Sequence, residues 1–117
     1  MSKEIYMDKA IAWAKKKPIT SLKATTEEYD NPKVFTNKST NEEVQPDLSF
    51  SHGGGEHYSD IALKSDNVRS LVTRWKLLSL MASVKKGQLH LLVPKGHKMF
   101  TKKLVDSHNI NAEIHPI

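Results

Sequence analysis

The chain has no cysteine, no long apolar run and few aromatic residues. Without cysteine it can form neither disulfide bonds nor thiolate metal sites. No stretch approaches the roughly 18 apolar residues that a membrane helix needs, so we expect no membrane association. The first residues, Met1 to Ile5, are polar and lack the apolar centre of a signal peptide. These absences predict a cytoplasmic protein.

The composition is that of one ordinary globular domain, which we expect to span residues 1–117. Hydrophobic residues make up 38% and charged residues 26%, which argues against disorder. The net charge is +5, and basic residues gather after Asp66 while acids become rare. This balance favours a nucleic-acid partner, with DNA as our expectation. Ordinary solvated helix faces would explain the same charges.

Residues 44–50 alternate between apolar and polar side chains, which is typical of a β-strand. Val44, Leu48 and Phe50 would share one face of this strand, with Asp47 on the other. Because Pro46 cannot donate a ladder hydrogen bond, we expect an edge strand or one that begins at a bulge.

A second predicted strand occupies residues 58–64, after a run of three glycines that can turn the chain into a hairpin. Asp60, Ala62 and Lys64 lie on its polar-facing side. The hairpin would gather Asp47, Asp60 and Lys64 on one surface of the sheet. Two carboxylates and a lysine can hold a hard cation and stabilise charge on a phosphate.

The spacing of these residues resembles the PD-(D/E)xK nuclease superfamily, which has the restriction-endonuclease-like fold. Pro46-Asp47 matches its first motif, and Ala62-Leu63-Lys64 stands where the family has acid-x-lysine. A helix over Val68 to Val84 and a strand over Gln88 to Val93 follow in the family's order. The resemblance covers roughly residues 34–93. The family's second acid falls on Ala62, which cannot bind a metal.

This resemblance implies a divalent-metal-dependent, endonuclease-like protein that acts on DNA phosphodiester bonds with Mg²⁺ or Mn²⁺. Asp47 would bind the metal, Asp60 would supply a displaced second ligand, and Lys64 would orient the water or stabilise the developing phosphate charge. Other acids that could fill the gap are Glu4, Asp8 and Glu56. The alternative is a catalytically inactive member of the fold that serves as a nucleic-acid or protein interaction module. A homodimer would place one site on each strand of a duplex, although nothing in the sequence shows one.

Four basic residues are candidates for substrate binding, namely Arg74, Lys76, Lys98 and Lys102. Trp75 fits the apolar stripe of its helix, so we prefer core packing over base stacking for it. Arg74 and Lys76 flank Trp75 and cannot both face the core. One of them could reach the site, and otherwise both are solvated.

The remaining segments complete a small mixed β-sheet flanked by helices, an α/β fold with a restriction-endonuclease-like core. We expect a helix over residues 3–16, a short strand over 33–36, a basic helix over about 97–105 and a last strand over 111–114. The polar residues 20–31 predict no definite element. The predicted order is α-β-β-β-α-β-α-β.

The six histidines form no zinc-binding pattern, because none stands four residues from another and no cysteine accompanies them. His57 could neighbour the site, but a surface histidine is the preferred interpretation. The segment from His52 to Gly55 resembles the oxyanion-hole motif of lipases and esterases. The chain lacks the Gly-x-Ser-x-Gly nucleophile which that function requires, so we interpret the glycines as a hairpin turn.

Overall fold

A computed structural model describes residues 3–117, which form a five-stranded mixed sheet, a two-stranded ribbon and three helices. Along the chain the elements are α1 (Glu4–Lys15), β1 (Thr20–Ala24), β2 (Phe35–Thr36), β3 (Glu43–Val44), β4 (Leu48–His52), β5 (Gly55–Ile61), α2 (Val68–Val84), β6 (Leu89–Val93), α3 (Lys98–Ser107) and β7 (Ala112–Pro116). No helix in this range has the length and apolarity needed to cross a membrane. The predicted α/β class is confirmed.

The main sheet has the strand order β1-β4-β5-β6-β7. Strands β1, β4 and β5 pair antiparallel, whereas β5, β6 and β7 pair parallel. The two parallel connections run through α2 and α3, as parallel crossovers require. Strand β4 therefore lies inside the sheet, and the expectation of an edge strand or bulge at Pro46 is wrong. Pro46 does not interrupt the ladder because it precedes β4, which begins at Leu48.

Two apolar clusters cover the two faces of the sheet. Helix α1 packs on one face with Leu48, Phe50 and Ile61, and we call this the α1 face. Helices α2 and α3 pack on the other, the α2 face, where Ala62 lies in the core. The alternation predicted for these strands is correct except at Val44. That residue belongs to β3, which pairs with β2, and it packs into the α2-face cluster instead.

Helix α2 has the bounds that its apolar period predicts. Its buried residues are Val72, Trp75, Leu78 and Ala82, which follow one face of the helix. Asn67 caps its N-terminus, since the Asn67 side chain accepts a hydrogen bond from the Ser70 N–H at 3.2 Å.

The structure differs from the predicted order in the first third of the chain. Strand β1 forms from a polar segment in which no strand was expected, and it lies at the edge of the sheet. The segment predicted as a strand at 33–36 yields only β2, which joins the separate ribbon. Strand β5 ends at Ile61, so Lys64 lies beyond the strand rather than within it.

Candidate functional site

Asp47 and Asp60 lie side by side at the α2 face of the sheet. The β4–β5 ladder pairs Leu48 with Ser59. Continuing this register by one residue places Asp47 opposite Asp60. Each carboxyl group shifts the pKa of the other. The fold thus brings together two of the residues singled out in the sequence.

Helix α2 holds Asp60 through two neighbouring side chains. Arg74 Nε donates to Asp60 Oδ2 at 2.8 Å, and Arg74 Nη2 donates to Oδ1 at 2.7 Å. The Trp75 indole N–H donates to Oδ2 at 3.0 Å. Asp60 is fully buried, so these bonds replace the water that its carboxylate loses. Arg74 is therefore the basic neighbour of Trp75 that reaches the acids, while Lys76 is exposed.

The Lys3 ammonium lies between the two acids. Its Nζ is 3.0 Å from Asp47 Oδ2 and 3.5 Å from Asp60 Oδ1. The Ile61 N–H also donates to Asp47 Oδ2, at 2.8 Å. Lys3 stands at the N-cap of α1, far from the hairpin in sequence. No local pattern links it to the acids, so sequence reasoning missed it.

The two carboxyl groups differ in charge state. Burial raises the pKa of Asp47 to about 7, with the Asp60 carboxylate adding to this rise and Lys3 opposing it. Burial alone would raise the pKa of Asp60 too. The Lys3 ammonium and the Arg74 guanidinium outweigh it and hold that pKa below its usual value. The two groups titrate as a pair, and the raised pKa belongs to Asp47.

Two surface pockets, of about 390 and 500 Å³, open onto the acid pair. Lys3 and Asp47 line both of them. Glu4 and Asp8 of α1 line the smaller pocket, so both first-helix candidates for the missing acid lie near Asp47. Arg74 lines the larger one. Asp47 is therefore reachable from solvent through polar openings although its own side chain is largely buried.

Several other predicted site residues lie outside this cluster. Lys64 is exposed, and no ion pair joins it to Asp47 or Asp60 within residues 3–117. Ala62 is fully buried in the α2-face core, where an acid would lie among apolar side chains. Glu56 lies near the start of β5 and lines neither pocket. The exposed lysines Lys76, Lys98 and Lys102 likewise line neither.

Comparison with known proteins identifies no relative of this chain. No protein-family model, curated protein or solved structure matches this chain. The chemistry of its side chains is therefore the basis on which a function can be assigned.

A second polar cluster lies on the α1 face, where three adjacent strands place histidines in a row. His57 Nδ1 is 3.0 Å from His90 Nε2, and His90 Nδ1 is 3.0 Å from His115 Nε2. Glu113 Oε1 is 3.5 Å from His115 Nε2. These histidines are scattered along the sequence but adjacent in the fold, and His57, preferred above as a surface histidine, is half-buried in this row.

Burial favours the neutral forms of His90 and His115. Burial lowers the pKa of His90 to about 3, and the neighbouring His115 and His57 add to this effect. Burial also lowers the pKa of His115, against the opposing effect of Glu113. Neutral imidazoles keep one nitrogen lone pair each for a hydrogen bond or a metal.

Proposed function

We propose that this protein is a PD-(D/E)xK-type, divalent-metal-dependent endonuclease that acts on DNA, with Asp47 and Asp60 as its acid pair. The supporting observation is the arrangement of two buried carboxylates around one ammonium beside two open pockets. Neighbouring buried carboxylates repel each other and require cationic compensation. The expected partner, DNA, supplies phosphates that a cation at this position can bind.

The residues present fit Mg²⁺ or Mn²⁺. Mg²⁺ commonly uses one or two carboxylates and completes its shell with water and substrate phosphate. Lys3 Nζ, at 3.0 and 3.5 Å from the two acids, marks a position where one cation contacts both. Asp47 and Asp60 would hold the metal there in place of the ammonium. When bound, the metal would polarise the phosphate and lower the pKa of a coordinated water.

The surrounding side chains have distinct roles in this proposal. Arg74 and Trp75 fix the orientation of Asp60, which preorganises the second acid. Lys3, displaced from the acids by the metal, would stabilise negative charge on the phosphate, the role that the family resemblance gives to Lys64. We assign it to Lys3 because its ammonium contacts both acids.

The hydrogen bonds that Asp60 already accepts favour a second, non-catalytic function. A carboxylate has about four acceptor positions, and three hydrogen bonds from α2 already reach this one. The two acids also face two cations, Lys3 and Arg74, so the cluster is balanced without a metal. Such a cluster can simply join α2 to the sheet. The chain would then be an inactive member of the fold that binds nucleic acid or a protein.

Cleavage assays separate the two functions. Purified protein is incubated with supercoiled plasmid in Mg²⁺ or Mn²⁺, and nicked and linear products are measured. We expect Asp47→Asn and Lys3→Ala to lower the rate at least about 100-fold, because the first removes a metal ligand and the second removes a positive charge at the phosphate. Lys64→Ala and the control Asp66→Asn, both at exposed positions, should keep most of the activity.

Metal binding provides the second readout. Calorimetry with Mn²⁺ should show one site per chain that Asp47→Asn removes and Asp66→Asn retains. Loss of cleavage in Lys64→Ala but not in Lys3→Ala would return the lysine role to Lys64. Absence of both Mn²⁺ binding and cleavage in the wild type would refute the nuclease proposal and leave the inactive module.

A further inference from the structure

We propose that His90, His115 and Glu113 form a zinc-binding site on the α1 face of the sheet, distinct from the acid pair. One ligand atom from each of these residues lies within 4.8 Å of the other two, and within residues 3–117 no other group of three or more such side chains converges in this way. The site does not depend on the proposed nuclease function.

The three side chains are held by the ladder between β6 and β7. This ladder pairs His90 with Glu113 and Leu92 with His115. Because paired residues of parallel strands share a face, and because residues two apart also do, all three side chains point to the α1 face. Ligands on hydrogen-bonded strands keep their spacing better than ligands on loops.

The distances suit tetrahedral zinc. With zinc–ligand bonds of 2.0–2.2 Å, the ligand atoms of a tetrahedral site lie roughly 3.3–3.5 Å apart. Here His90 Nδ1 is 3.0 Å from His115 Nε2, and His115 Nε2 is 3.5 Å from Glu113 Oε1. Small side-chain rotations therefore suffice to admit the ion. Two imidazoles and a carboxylate are also a known zinc ligand set.

Hydrogen bonds behind the site direct a lone pair toward it. The His52 carbonyl can only accept, so His57 Nε2, 3.2 Å away, must carry a proton. With His57 Nδ1 as the acceptor, His90 Nε2 donates to it at 3.0 Å. His90 Nδ1 is then unprotonated and accepts from His115 Nε2 at 3.0 Å, and a bound zinc would take the place of that proton. A zinc-bound histidine that donates its other N–H to an acceptor is the usual arrangement around metals.

The surroundings leave one coordination position open to solvent. A pocket of about 390 Å³ borders the site and is lined by His57, His90 and Glu113 among others. The Trp13 ring covers the site from α1, with its centroid 5.3 Å from that of His90 and 4.9 Å from that of His115. Three protein ligands and an open fourth position are typical of zinc sites that bind water or substrate.

Zinc binding can be measured directly on tag-free protein dialysed against a chelator. Co²⁺ titration should produce the visible absorption of tetrahedral cobalt, and Zn²⁺ should displace it at one equivalent per chain. We expect His115→Ala and Glu113→Gln to weaken Zn²⁺ binding at least about 10-fold, since each removes a ligand. Both positions lie on the edge strand β7 with side chains at least partly exposed, so the fold should tolerate them, and circular dichroism checks this.

Two controls make the test specific. His108→Ala removes an exposed histidine at the end of α3 and should leave the affinity unchanged. Asp66→Asn removes an exposed acid outside both candidate sites and should also leave the affinity unchanged. The proposal is overturned if folded His115→Ala binds Zn²⁺ as tightly as the wild type. It is equally overturned if the wild type takes up no Zn²⁺, or if Asp47→Asn abolishes uptake.

Discussion

Asp47 and Asp60 have the same side chain and nearly the same burial, but their partners differ. Asp60 receives three N–H groups from α2, two of them from a guanidinium. Asp47 has the Ile61 N–H and a half-exposed ammonium. A buried carboxylate stays ionised when cationic donors surround it and takes up a proton when another carboxylate is its neighbour. The partners therefore decide which of the two acids carries the proton.

The raised pKa of Asp47 predicts a specific pH dependence of stability. In the folded protein this pKa is about 7, against 3.8 for an aspartate carboxyl group in an unfolded chain. Between these values the folded protein binds more protons than the unfolded chain. The contribution of Asp47 to the free energy of unfolding is thus complete below 3.8 and lost as the pH rises through about 7.

Comparison with Asp47→Asn isolates this effect. The groups around Asp47 are Asp60 on β5, Lys3 on α1 and Arg74 on α2, and all remain in the variant. His90 contributes the opposite slope, because its pKa is lowered to about 3, and it is also unchanged. Urea unfolding with a chelator from about pH 4 to about pH 7.5 should show the variant gaining a few kcal/mol relative to wild type. A constant difference across this range would mean that Asp47 stays ionised.

At the scale of elements, the helices and strands that could be predicted are those whose buried side chains repeat with a regular period. Helix α2 has the predicted bounds because its buried side chains repeat with the helical period. Strand β1 was not predicted because only Ala24 at its end is buried, so no apolar alternation marks it. The ribbon strands β2 and β3 have two residues each, too few for any period.

In the candidate sites, single residues could be recognised in the sequence, but their contacts depend on how the strands pair. Asp47 could be singled out because an acid next to a core-facing strand residue is unusual, but its contact with Asp60 depends on the β4–β5 register. His90 and His115 are 25 residues apart and meet only because β6 and β7 pair in parallel. A single sequence carries no direct signal for such a register. The acid pair could be predicted because its two strands form a local hairpin, whereas the histidine row could be recognised only once the parallel β6–β7 pairing was known.

The close approach of β5 to the turn after α2 depends on glycine. A Cβ on Gly55 would lie 2.1 Å from the Lys86 carbonyl oxygen, so backbone would have to move. A Cβ on Gly54 meets nothing within 4 Å, although its φ of +80° strains other residues. We expect Gly55→Ala to lower the free energy of unfolding by about 3 kcal/mol and Gly54→Ala by about 1 kcal/mol. Urea denaturation measures both, and equal losses would contradict the steric explanation.

At the scale of the whole molecule, the two candidate sites occupy opposite faces of the sheet. The acid pair lies on the α2 face, which is also the face that α3 covers. The histidine row lies on the α1 face. Lys98 and Lys102 are exposed on α3, which packs on the α2 face, whereas Lys9 and Lys16 are exposed at α1 beyond the N-terminal residues that reach the acids. DNA bound for cleavage should therefore depend on the first pair of lysines more than on the second.

Charge reversal tests this expectation with matched variants. Lys98→Glu/Lys102→Glu and the control Lys9→Glu/Lys16→Glu change the net charge equally, so a difference between them reports location. For a short DNA duplex, the α3 variant should bind more weakly. Its plot of log K against log salt should be shallower by about 0.9 for each phosphate that the protein no longer neutralises. Equal weakening in both variants would mean that DNA binding depends on the net charge of the protein and not on where the lysines lie. If the wild type fails to bind DNA even at low salt, both the nuclease and the nucleic-acid-binding module are excluded. A protein partner then becomes the better explanation.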